Sequence, residues 1–138
     1  MRMGRMVLSL GLAGFVAVFL GGVAQAACVQ SDIAGTWYIH LTNEDEDGAW
    51  RLWAYCTVKV KSTGAVVAGT ACKTSQGDTQ TINGGKFTVG SDCVWNGNLK
   101  IGNGAVIDHG IVNRGKDFVS AVGHDQNGGL IKLDGVKK

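Results

Sequence analysis

The side chains able to bind or react in this 138-residue chain are four cysteines, three histidines, an acidic run and a knot of tyrosine and tryptophan. Cys28, Cys56, Cys72 and Cys93 contain no C-x₂₋₄-C pair, and their spacings of 28, 16 and 21 residues match no compact zinc module. His40, His109 and His124 form no set either. Asp108-His109 and His124-Asp125 are neighbours in sequence, but strand alternation sends neighbours to opposite faces. With His109 placed opposite Ser120 across a hairpin, His124 lies about 13 Å away along the strand, too far to share a metal. The chain has no G-x-S-x-G, no H-E-x-x-H, no phosphate loop and no dinucleotide fingerprint. The expectation is a protein that is not an enzyme and carries no cofactor.

One metal candidate stands apart. Asn43-Glu44-Asp45-Glu46-Asp47-Gly48 places Asn43, Asp45, Asp47 and Gly48 in an N-x-D-x-D-G pattern. Alternate residues there can turn oxygens inward, and glycine permits the sharp turn, as in calcium loops. The second half of that pattern fails, because Ala54 stands where a bidentate Glu belongs and Arg51 stands three residues before it. Calcium through Asn43, Asp45 and Asp47 therefore competes with a plain solvated loop.

The compartment follows from the first 26 residues. Arg2 and Arg5 precede an apolar run from Val7 to Leu20, and Ala24-Gln25-Ala26 offers the small residues a signal peptidase accepts. Residues 1–26 are expected to be a cleaved signal peptide, and residues 27–138 a single domain working in the periplasm or outside the cell. Four cysteines in that setting point to two disulfides. Lipidation of Cys28 is the competing expectation, although Gln25 is a poor lipobox residue. Of 13 basic residues, removing Arg2 and Arg5 leaves 11 against 11 acidic ones. A neutral domain offers no electrostatic basis for binding nucleic acid, and after cleavage no segment remains for a membrane.

The elements that must position these residues are strands. Beyond residue 30 the chain alternates apolar and polar residues between clusters of Gly, Asn, Asp and Ser. Candidate strands are 35–42, 51–61, 65–73, 79–82 running on or turning into 86–89, 93–101, 105–112, 117–124 and 129–136. Short connections predict an all-β, antiparallel up-and-down meander that closes into a roughly eight-stranded barrel. A two-sheet β-sandwich is the alternative. The cysteine pairing depends on residues 79–89. One continuous strand brings Cys28 to Cys93 and Cys56 to Cys72. A hairpin at Asn83-Gly84 brings Cys72 to Cys93 and Cys28 to Cys56, and the strength of the Asn-Gly signal favours this second scheme.

Alternation also sorts the faces. Trp37, Ile39 and Leu41 face inward from the first strand, as do Trp50, Leu52, Ala54, Cys56, Val58 and Val60 from the second. Facing core to core, with a 43–50 loop, Tyr38 falls opposite Tyr55, His40 opposite Trp53 and Thr42 opposite Arg51. Tyr38, His40, Trp53, Tyr55 and Arg51 thus form an outward patch of the kind that binds partners.

Gly35-Thr36-Trp37, set early in the mature chain before an apolar alternating strand, resembles the G-x-W signature of calycin-type barrels, the lipocalins and avidins. The resemblance implies that Trp37 plugs one end of an up-and-down barrel. The lipocalin pattern adds an Arg near the last strand that packs over the tryptophan, but here that region has only Lys132, Lys137 and Lys138. The polar biotin-binding set of avidins has no counterpart along 38–48. Small secreted metalloprotease inhibitors resemble the same barrel, acting through an N-terminal arm that only 27–34 could supply. The expected function is a secreted or periplasmic binding module for a protein partner or a small apolar ligand, with an oligomer as a further option. An inhibitor of a secreted enzyme and a structural or surface-assembly subunit are the alternatives.

Overall fold

The computed structural model describes residues 27–138, apart from Glu46, Ala49 and Asn103 and the side chains of Trp50 and Arg51. The expected signal peptide, Glu46 of the acidic loop and the Arg51 and Trp50 side chains lie outside the described residues. A 3-10 turn, Gln30–Ile33, leads into nine strands: β1 Gly35–Glu44, β2 Trp50–Val60, β3 Ala71–Thr74, β4 Thr79–Thr81, β5 Gly85–Val89, β6 Val94–Leu99, β7 Ala105–Val112, β8 Phe118–Asp125 and β9 Leu130–Lys137. They form one antiparallel sheet in the order β4-β3-β2-β1-β9-β8-β7-β6-β5. First and last strands pair, so the meander curls into a barrel in which β1 is bonded on both sides.

The two ends of that order meet through a seam rather than a full strand pair. Residues 65–73 were expected as one strand, but only Ala71–Thr74 is one. The preceding stretch lies between β2 and β5. Val67 N donates to Lys59 O (2.8 Å) and Lys61 N to Ala65 O (2.9 Å) on one side. On the other, Val66 N donates to Gly85 O (3.0 Å) and Phe87 N to Gly64 O (2.9 Å). Gly64 is required at this crossing. Its φ is +83°, and a Cβ there would sit 2.0 Å from Phe87 O.

Residues 79–89 are a single run kinked at Gly84-Gly85. The run leaves β3 and joins β6, where Asn83 N donates to Lys100 O (2.7 Å) and Lys100 N to Gly84 O (2.9 Å). Asn83-Gly84 is therefore not a hairpin turn, and this corrects the favoured cysteine pairing. The disulfides are Cys56–Cys72, directly opposite across β2 and β3, and Cys28–Cys93. Because Cys28 is bonded to Cys93, its sulfur is not available to carry a lipid.

The inner face is apolar and closely filled. Ile39, Val58, Leu99, Ile107, Ile131 and Leu133 are buried there, and Phe87 meets Trp95 edge-on at 5.0 Å. Trp95 packs against Gly110, whose hypothetical Cβ would fall 2.3 Å from the indole nitrogen. A void of only about 20 Å³ remains among Ile33, Trp37, Phe87 and Trp95.

Trp37 lies buried at this end of the barrel, against the segment that precedes β1. It is 3% exposed, and its Nε1 donates to Ile33 O at 2.8 Å. The cation over its ring is Lys137 of β9, with Nζ 5.3 Å from the ring centroid and donating to Asp32 O at 2.9 Å. The Asp32 carboxylate takes Lys116 Nζ at 2.7 Å and the Val29 N–H at 2.8 Å. The hydrogen bond from Lys116, with help from that of Val29, holds the Asp32 carboxyl below its ordinary 3.8. The segment before β1 is thus fastened across the barrel end. Gln30 adds two bonds to β5, from Nε2 to Phe87 O (3.0 Å) and to Oε1 from Val89 N (3.1 Å).

Replacing Cys28 and Cys93 by Ala, which opens a separation of 65 residues, should lower unfolding free energy by about 4 kcal/mol, against about 3 kcal/mol for the Cys56/Cys72 pair with its separation of 16. Denaturant titration of both double variants would check the order. Because the Asp32 pKa is depressed in the folded state, its contribution is complete above the ordinary carboxylate value and fades as pH falls through the folded one. The stability difference between the wild type and Asp32→Asn should therefore shrink on acidification, as followed by melting temperature across the acid range.

Candidate functional site

The outer faces of β1 and β2 carry the aromatic residues that alternation assigns there. Tyr55 is 60% exposed, Tyr38 46% and Trp53 45%. His40 packs on Tyr55 with ring centroids 4.8 Å apart, and Trp53 meets Tyr55 edge-on at 5.3 Å. The register differs from the expected one by two residues. Tyr38 pairs with Thr57, His40 with Tyr55 and Thr42 with Trp53. β1 runs on to Glu44, and a bulge at Asn43/Glu44 lets the strands pair closer to the turn. A slip of two leaves every side chain on its own face, so the patch survives the shift. Thr42, placed outside, is nevertheless only 8% exposed, between Trp53 on β2 and Lys132 on β9.

Closure of the sheet brings further residues beside this patch. Across β1 and β9, His40 pairs with Asp134 and Tyr38 with Val136, and Val136 pairs in turn with Phe118 of β8. On the other side Tyr55 pairs with Lys73 of β3. Together they line a groove of about 730 Å³ on the outside of the barrel. Lys73, Phe118, Asp134 and Val136 escaped the sequence reading. Their outward parity was legible, but not which strands flank β1 and β2. The signal that could have found them is the closure rule itself: in an up-and-down barrel the last strand pairs with the first.

Inside, at the mouth opposite Trp37, a second cavity of about 170 Å³ is lined by Leu41, Asn43, Leu52, Gln80, Asp125 and Ile131 among others. Asp125 is 7% exposed. Its Oδ1 accepts from Asn127 N (2.8 Å) and Gly129 N (2.9 Å), and its Oδ2 accepts from Asn43 Nδ2 (2.9 Å). Asn43, the first residue of the calcium pattern, is thus turned into the barrel mouth and committed to the β8–β9 turn. Glu44 pairs with Lys132 at 2.9 Å, and Asp45 O accepts from Gly48 N in the loop. Among the described residues, no cluster of three His, Cys, Asp or Glu side chains is placed to hold a metal.

The histidines are arranged differently from the sequence expectation. A bulge between Ile107 and His109 sets His109 opposite Val122, and Ser120 opposite Ile111. It also turns Asp108 and His124 to the same outer face, where Asp108 Oδ2 and His124 Nδ1 are 2.7 Å apart. Both are largely exposed, so the pair is a surface contact between β7 and β8.

No protein-family model matches the chain, and no curated protein does. Among solved structures it is similar to designed barrels. One is a de novo designed fluorescence-activating β-barrel, 18% identical over 80% of this chain and 100% of that one, with a TM-score of 0.56. Two others are the redesigned barrels mFAP1 and mFAP0, each bound to DFHBI. They are 20% and 19% identical, over 83% and 77% of this chain and 100% and 99% of theirs, with TM-scores of 0.58 and 0.54. At such identities the likeness is one of fold. Among the described residues no helix is long and apolar enough to cross a membrane.

Removing the amide that bonds buried Asp125 should be costly for its size. Asn43→Ala is expected to destabilise the domain by about 1–3 kcal/mol in urea. Because Asn43 is committed to Asp125, millimolar calcium should leave the melting temperature of both the wild type and Asn43→Ala unchanged.

Proposed function

We propose that the mature chain is an exported, non-catalytic binding module, and that its binding surface is the groove on the outside of the barrel rather than the interior. The observation that carries this is a contrast of volumes. Sites for small molecules enclose roughly 300–1,000 Å³. The outer groove, at about 730 Å³, falls in that range, whereas the interior offers about 20 Å³ at the Trp37 end and 170 Å³ at the mouth. The groove also carries the groups that make a surface adhesive. Its tyrosines present rigid, amphipathic rings at small entropic cost.

Export is supported by the leader pattern of residues 1–26 together with the two disulfides, which persist in oxidising compartments. A small-ligand role has a parallel in fold alone, since mFAP1 and mFAP0 are barrels that hold DFHBI. An inhibitor acting through its N-terminal arm is less well supported. Residues 28–33 are fastened by the Cys28–Cys93 disulfide, by Gln30 and by Asp32, and Ile33 is buried.

The test uses anilinonaphthalene sulfonate, an aromatic dye whose emission rises in apolar surroundings. A saturable one-to-one signal with the folded protein is expected. Tyr38→Ser with Tyr55→Ser should abolish it, and Gln80→Ala at the mouth should leave it intact. The opposite pattern would place the site inside the barrel and sink the proposal.

A further inference from the structure

The groove has charged ends as well as an aromatic floor. One cross-strand row reads Lys73, Tyr55, His40, Asp134, on β3, β2, β1 and β9 in turn. All four side chains line the groove. Elsewhere on the barrel, charges are paired: Lys116 with Asp32 and Lys132 with Glu44. Lys73 and Asp134 have neither an ion pair nor a side-chain hydrogen bond among the described residues. Three inter-strand steps separate them, or about 14 Å. At that span in solvent they do little for each other. A cation and an anion are thus held apart by two rings in tilted contact, each charge free to meet an opposite one brought from outside.

Resting on the groove reading above, we infer that its ligand is a zwitterion with an apolar middle, and specifically a short peptide with free ends. The carboxylate lies at Lys73, the ammonium at Asp134, and an apolar or aromatic side chain lies over Tyr55 and His40. Length supports the class. An extended chain spans at most about 3.3–3.6 Å per residue, so about four residues reach from one charge to the other. Tyr38, Phe118 and Val136 complete an apolar wall along one flank, for side chains that point sideways from such a peptide. A ligand carrying one charge, or two of the same sign, would satisfy one end and leave the other opposed or unmet.

The probe is the tetrapeptide Ala-Phe-Phe-Ala in three forms, with both ends free, N-acetylated, or C-amidated. Binding is measured by calorimetry at low salt. The proteins are the wild type, Lys73→Met and Asp134→Asn; both substitutions are at exposed positions, and circular dichroism verifies that each variant is folded. The free form should bind the wild type most tightly. Amidation should weaken it roughly three- to fivefold, as expected for one exposed charge pair, and should have no effect in Lys73→Met. Acetylation should weaken it by a similar factor, with no effect in Asp134→Asn. If either modification acts equally in the wild type and in its matched variant, the assignment of ends is wrong and the inference falls. If no form of the peptide binds while the dye still does, the zwitterion inference falls and the groove reading stands. If neither dye nor peptide binds, both fall.

Discussion

The backbone bonds that run from β2 through Gly64–Val67 to β5 join the two sides of the curled sheet at the end where Trp37 is buried. An unpaired edge would expose a row of donors and acceptors to other chains. Closing it requires two backbones to cross within contact distance, and Gly64 makes that crossing against Phe87 O. The rest of the architecture depends on this ring. It brings β9 against β1, so that Lys137 covers Trp37. It also directs residues 79–89 from one neighbour to another without reversing, which in turn decides how the cysteines pair.

The ring separates two environments along every strand. Side chains of one parity fill the interior, most closely at the end where Phe87, Trp95 and Trp37 take up the bulk, and leave about 170 Å³ at the mouth. Such packing supplies the stability of a domain of this size and leaves little room for a guest. Side chains of the other parity are free of packing duty, and there the chain keeps aromatic rings exposed on β1 and β2. Recognition on the outer face therefore does not compete with the core. Tyr38 and Tyr55 can change without opening a cavity, whereas Ile39 or Val58 cannot.

Much of the fold is legible in the residues. Trp37, Ile39 and Leu41, and Ala54, Cys56, Val58 and Val60, alternate so regularly that their faces follow without coordinates. The outward patch of Tyr38, His40, Trp53 and Tyr55 follows from the same period. Where sequence and structure part, a single local device intervenes. Bulges at Asn43/Glu44 and at Ile107/His109 each offset the register by one residue, and the pairings end up two residues from the expected ones. The glycine pair Gly84-Gly85 kinks the chain where Asn83-Gly84 suggested a turn. An Asn-Gly pair is permissive of positive φ in either case, and only the strand waiting on the far side selects between a reversal and a kink.

Alternation with period two, short polar connections and the small-residue punctuation determined, from sequence alone, that this chain forms a meander of short strands with a defined inside and outside. Those are local properties, fixed by the geometry of the extended backbone. Which strands become neighbours is a global property. The pairing of β1 with β9, the seam at Gly64, the Cys56–Cys72 and Cys28–Cys93 bonds and the row from Lys73 to Asp134 each join residues far apart along the chain. No window of sequence contains both partners of such a contact. Only the closed sheet brings them together, and with them the groove.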